Sequence, residues 1–201
     1  MENNGLNRRD ALRKIAAGGI GAAASASWVG NLSALARVRA DQLHAAAAST
    51  QSATRWVPRI LNAHQHVTVA ALVELIIPQT DTPGAKAVLV DRFVDALLAE
   101  AQRPDRARFI GGLAWLDRRS KALYARDFVT ASPAQQAELL TKLSAEGSAE
   151  DRAGVEFFTA IKSMTITGYY TSEVGLRDEL GDDGRMFLPA YEGCTHPEHQ
   201  R

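Results

Sequence analysis

The sequence predicts an all-α protein: a compact bundle of about five or six helices, with an irregular C-terminal tail and an N-terminal export signal. Three observations carry that expectation. Apolar residues recur every three or four positions through most of the chain after residue 56, the spacing that collects them on one helix face. No stretch sustains the every-second alternation of a half-buried strand, and no two apolar runs are joined by an Asn-Gly turn. Prolines, glycines and capping residues fall where helices must start or stop.

The first element reads as an address rather than as fold. Residues 1–40 carry six basic and two acidic groups, whereas the full 201-residue chain is balanced at 23 of each. Arg8 and Arg9 stand just before the apolar run from Ile15 to Val29. That run is shorter and poorer in large apolar residues than the ~20 needed to span a bilayer. Basic residues, an apolar run and small-x-small sites follow one another in the order of a targeting segment. The segment resembles a twin-arginine export signal, with Asn7 and Ala11 departing from the commonest residues at their positions. The alternative is a basic amphipathic helix that stays in the cytoplasm. Residues 1–36 are therefore assigned to the signal, with cleavage expected at Ala34-Leu35-Ala36 and Ala24-Ser25-Ala26 as the second site.

Residues 37–55, with Ala45 to Ala48 and the polar run Ser49 to Thr54, read as a flexible linker or frayed helix. The helical domain is expected over 56–180, entered through Trp56-Val57-Pro58. Its first helix is capped by Asn62, buries Val67, Ala70, Ala71 and Leu75 with Leu72 and Ile76, and stops at Pro78. The second presents Val90, Phe93, Val94, Leu97, Leu98 and Ala101. Pro104-Asp105 opens a third of ~20 residues carrying Phe109, Leu113, Leu116, Leu123 and Tyr124. Ser132-Pro133 opens a fourth through Leu139, Leu140 and Leu143. Ser148 caps a fifth, with Val155, Phe158, Ile161 and Met164, that ends at Gly168. Residues 181–201, rich in glycine and proline, form an irregular tail draped over a surface.

Catalytic chemistry is hard to find. A formal net charge of zero argues against a protein built to hold nucleic acid. A single cysteine excludes an internal disulfide, a Cys-x-x-Cys-His haem attachment and an iron–sulfur cluster held by this chain alone. There is no Gly-x-Ser-x-Gly elbow, Gly-x-Gly-x-x-Gly or Walker motif. Cys194, His196 and His199 have ligand chemistry for zinc or copper, but no fourth ligand is evident. They define the alternative reading, an autonomous periplasmic enzyme or metal-binding protein. His64 and His66, two apart on a helix, diverge by about 200° and suit a surface better than a shared ion.

Three local motifs stand out. Leu75-Ile76-Ile77-Pro78-Gln79-Thr80-Asp81-Thr82-Pro83-Gly84-Ala85 is a helix stop followed by a rigid turn. Asp81 suits an Asx turn there, and Pro83-Gly84 a type II turn. Gly168-Tyr169-Tyr170-Thr171-Ser172 ends the fifth helix, where the tyrosines either close the core or meet a partner. Pro189-Ala190-Tyr191-Glu192-Gly193-Cys194 is an extended stretch ending on the only thiol. These motifs, in this order behind an export signal, closely resemble the gluconate 2-dehydrogenase subunit 3 family over roughly residues 60–195.

The resemblance implies a non-catalytic small subunit of a bacterial flavin-dependent sugar, sugar-acid or alcohol dehydrogenase complex. It implies no cofactor in this chain, FAD in a large partner subunit and haem c in a third, cytochrome c subunit. It implies stabilisation of the large subunit and its escort through twin-arginine export on Arg8 and Arg9. The localisation expected is periplasmic, peripheral on the inner membrane through the complex alone. The interface is expected to use Pro78, Asp81, Thr82, Pro83, Gly84, Tyr169, Tyr170, Thr171 and Tyr191. Cys194, the one cysteine of an exported chain, is either a free thiol or an intermolecular bridge; a disulfide to the large subunit is the expectation. The substrate would be set by another chain.

Overall fold

The computed structural model describes residues 28–48, 56–145 and 151–183. Its described residues form seven α-helices and no strand. They are α1 (Trp28–Val38), α2 (Ala40–Ala48), α3 (Ala63–Ile76), α4 (Val90–Glu100), α5 (Arg103–Tyr124), α6 (Pro133–Ser144) and α7 (Arg152–Tyr170). A 3-10 turn, Phe128–Thr130, lies between α5 and α6, and a π-helical turn, Gly175–Glu179, follows α7. The all-α expectation holds, with more helices than the five or six read from sequence.

The added helices are the first two, and they correct the sequence reading. Residues 37–55 were expected to be a flexible linker or frayed helix, yet α2 occupies much of that stretch as a docked helix and buries Ala40, Leu43 and Ala47. Helix α1 runs through Ala34-Leu35-Ala36 and buries Trp28, Leu32, Ser33 and Ala36. The reason is compositional: alanine, glycine and serine weaken a hydrophobicity signal, while alanine is the best helix former. Arg8, Arg9 and the rest of 1–27 lie outside the described residues, as does 49–55.

Helices α4 and α7 form the centre. Helix α4 buries eight residues, among them five of its six predicted apolar positions, and the sixth, Ala101, is buried at its C-cap. Helix α7 packs against each of the other six. It runs through Gly168 to Tyr170, so the glycine lies inside the helix rather than ending it. Its predicted cap, Ser148, lies outside the described residues; Asp151 precedes the first helical residue.

Local capping explains where the helices begin. Asn62 Oδ1 accepts the Gln65 amide at 2.9 Å while Gln65 Oε1 accepts the Asn62 amide at 2.9 Å, satisfying two donors reciprocally. Ser132 and Gln135 repeat the arrangement ahead of α6. The approach to α3 is tied down by Asp95, 1% exposed, whose carboxylate accepts the amides of Arg59, Ile60 and Leu61 at 2.7, 3.1 and 3.0 Å.

Candidate partner interface

Helix α3 is apolar on more than one side. Its core face is Thr68, Val69, Ala70, Leu72 and Val73. Val67 and Leu75, predicted to be core, are instead 53% and 36% exposed. With half-buried Ala71 between them, they form an i, i+4, i+8 stripe along the outer face. A helix apolar on both faces carries no solvated side of its own. Leu123 on α5 is likewise exposed rather than buried.

The stripe runs into the Pro78–Ala85 turn, which the fold holds firmly. Glu74, the one acid in α3, accepts the amides of Gln79 and Lys86 with its two oxygens at 3.0 and 3.2 Å. The Ala85 amide donates to Ile77 O and the Thr80 amide to Thr82 O, at 2.9 and 3.1 Å. Gln79, Thr80 and Asp81 are exposed, Pro78, Thr82 and Pro83 half-buried, and Gly84 buried. One turn expectation is corrected. Gly181 is the only described glycine with positive φ, so Pro83-Gly84 is not the type II turn, which needs positive φ at its third residue. Gly84 is required by contact instead, since a Cβ there would lie 2.6 Å from Gln79 N and from Glu74 Oε1. Asp81 accepts from the Thr80 hydroxyl at 2.7 Å.

The tyrosine motif lies against this turn. Tyr169 is fully buried and its hydroxyl donates to Pro83 O at 2.8 Å. It therefore closes the core and fixes the turn from inside, which corrects its assignment as a surface a partner touches. Tyr170 meets it edge-on at 5.2 Å and is half-buried, as is Thr171. Thr82 Oγ1 donates to Glu179 Oε1 at 2.8 Å, joining the turn to the π-helical segment ahead of exposed Leu180. Ser172 Oγ donates to Tyr169 O at 2.6 Å and accepts the Gly175 amide at 3.1 Å. A Cβ on Gly175 would collide with the Tyr169 carbonyl.

Other polar clusters serve the fold. His64 Nε2 lies 2.6 Å from Asp117 Oδ2, and His66 Nε2 lies 2.7 Å from Asp91 Oδ2. The two rings diverge as predicted, but His66 is not a surface group: its ring packs at a tilt against Trp56, centroids 4.7 Å apart, with Arg92 5.1 Å from the same indole. His64, Asp117 and Asp127 bring ligand atoms within 4.8 Å of one another. Two of these groups have other partners: Lys121 Nζ lies 2.7 Å from Asp127 Oδ1, and Asp117 Oδ1 accepts the Phe128 amide. The Asp127 carboxylate raises the Lys121 pKa, first by hydrogen bonding and then by charge.

A groove of about 440 Å³ lies between α2 and the end of α7, lined by Asp41, His44, Leu89, Thr171 and Glu173 among others. Thr171 donates its one hydroxyl proton to Thr167 O at 2.7 Å, so His44 Nε2, at 2.9 Å, is the donor to Thr171 Oγ1. The His44 ring packs at a tilt against Phe93, centroids 4.8 Å apart, and burial lowers its pKa against a smaller opposing effect of Asp41.

Tyr191, Cys194, His196 and His199 lie outside the described residues. Sequence reasoning missed Glu74, Glu179, His44 and both N-terminal helices; only the lone acid within an apolar helix could have pointed to Glu74. Among the described residues no helix is long and apolar enough to cross a membrane. A family model described as gluconate 2-dehydrogenase subunit 3 matches residues 63–182. No curated protein and no solved structure matches.

Proposed function

Because the chain belongs to the gluconate 2-dehydrogenase subunit 3 family, we propose that it is the non-catalytic small subunit of a membrane-associated, periplasm-facing dehydrogenase complex. On this reading a large subunit holds FAD and oxidises the substrate, and a cytochrome c subunit carries electrons onward. The small subunit stabilises the flavoprotein and lends it the twin-arginine signal at Arg8 and Arg9. Its bound surface is the outer stripe of α3 with the turn that follows it.

The observation that carries this reading is the apolar outer face Val67, Ala71 and Leu75, continuous in sequence with a turn braced by Glu74 and Tyr169. A braced turn presents its backbone donors and acceptors with little ordering cost on binding. An apolar stripe beside it supplies the water-excluding centre that a stable interface needs.

The test is co-expression with the candidate large flavoprotein. Val67→Glu with Leu75→Glu is expected to abolish co-purification while leaving the free chain's melting temperature nearly unchanged, since exposed substitutions usually cost within ±0.5 kcal/mol. Co-purification at the parental yield would overturn this surface. Changing Arg8 and Arg9 to lysine is expected to leave both subunits in the cytoplasm. A large subunit that still reaches the periplasm would overturn the escort role.

A further inference from the structure

The reach of the export signal is bounded by the fold. Cleavage at Ala34-Leu35-Ala36 would cut within α1, whose inner side is core: Trp28 is 4% exposed, Leu32 1% and Ala36 0%. The helix is also bonded to three partners far along the chain. Trp28 Nε1 donates to Glu156 Oε2 at 3.2 Å, and Asn31 Nδ2 to Asp105 Oδ2 at 3.0 Å. Ser33 gives its proton to Val29 O at 2.8 Å, so Ser163 is the donor in the 2.8 Å contact between the two serine hydroxyls. These bonds and apolar contacts fasten α1 to α5 and α7.

A peptidase must draw its substrate out as an extended strand, and proteolysis concentrates where the backbone is exposed and unfastened. At Ala36 that requires α1 to leave the core first, a sub-global opening rather than fraying. A route that carries folded cargo would deliver α1 already docked. The second candidate site, Ala24-Ser25-Ala26, ends two positions before Trp28, the first buried residue among those described. We infer that the signal is cut after Ala26, so that the mature chain begins at Ser27 and keeps α1 and α2 as permanent parts of its core. This inference rests on the export reading above.

The experiment co-expresses the full chain with its large subunit, separates periplasm from cytoplasm, and reads the small subunit's N-terminus by terminal sequencing and intact mass. Ser27 is the expected first residue. Two variants sharpen the reading. Ala26→Leu removes the small residue next to the inferred cut and is expected to leave the great majority of the exported chain unprocessed. Ala34→Leu changes an exposed position of α1, removes the small residue that the other site needs, and is expected to leave processing unchanged. A chain beginning at Arg37, or normal processing of Ala26→Leu, overturns the inference. An uncut chain in the periplasm overturns the cleavage but leaves export standing. A chain found in the cytoplasm alone overturns both.

Discussion

Replacing Tyr169 with phenylalanine isolates the bond that joins the two motifs. The ring and its burial are kept, and the hydroxyl that donates to Pro83 O at 2.8 Å is lost. A neutral hydrogen bond of this kind contributes about 0.5–1.5 kcal/mol net. For a chain of this size that lowers the melting temperature by about 1–6 °C. The loss is local, so the amides of Thr80 and Ala85, bonded to Thr82 O and Ile77 O, should exchange about 2- to 13-fold faster by the same range of energies. Amides of Leu139 to Leu143 in α6 should change no more than the global stability requires. Tyr169→Ala is the calibrating variant: losing the buried ring costs about 3–5 kcal/mol. If Tyr169→Phe lowers the melting temperature yet leaves Thr80 and Ala85 protected as before, Glu74 holds the turn alone and the coupling of the motifs is refuted.

Gly175→Ala forces a methyl group against the Tyr169 carbonyl, and thermal melting should show a loss of about 1–3 kcal/mol, typical of overpacking. Asp95→Asn leaves one acceptor oxygen where a carboxylate now meets three backbone amides; denaturant unfolding should show a loss of about 3 kcal/mol or more, since each bond to a charged group contributes about 1.5–3. His44 has its pKa lowered by burial, so below its ordinary value the unfolded chain binds more protons and stability falls as the pH drops. Melting at about pH 5 and pH 7.5 should differ less in His44→Gln, which cannot titrate, than in the parent; an equal difference would remove His44 from the acid sensitivity.

The parts of the fold that were legible are those set by local chemistry. Asn62 and Ser132 cap because their side chains reach amides three residues on, a geometry fixed within one turn. Helix α4 was legible because its apolar positions repeat at helical spacing and all of them face inward. Helix α3 was misread because it is apolar nearly all round, so periodicity cannot tell Val69 and Val73, which are buried, from Val67 and Leu75, which are not. The turn was recognised from its prolines and glycine. What braces it came from Glu74, five residues before Gln79, and Tyr169, 86 positions from Pro83; contacts across that distance leave no mark on local spacing. The same distance hides the partners of α1, which lie 74 to 130 residues away.

The family match begins at residue 63, but among the described residues the core begins at Trp28, and the two boundaries make different demands on a shortened chain. Burying a large apolar side chain contributes about 1.5–3 kcal/mol. Trp28, Leu32 and Leu43 are each 4% exposed or less, so together they amount to about 5–9 kcal/mol as an upper bound. A whole domain retains only about 5–15 kcal/mol. A chain beginning at residue 63 therefore loses an amount comparable to its entire stability, and it also removes the His44 ring that packs against Phe93. A chain beginning at Arg37 loses Trp28, Leu32 and the bonds of Asn31 and Ser33 but keeps α2. The expected order of melting temperatures is residue 27 highest, then 37, then 63, with the shortest chain lacking a cooperative transition. Should the chains beginning at 27 and 37 melt within about 2 °C of each other, less than one kcal/mol for this size, α1 would contribute nothing the remainder cannot replace. Its burial would then be no bar to a cut at Ala36.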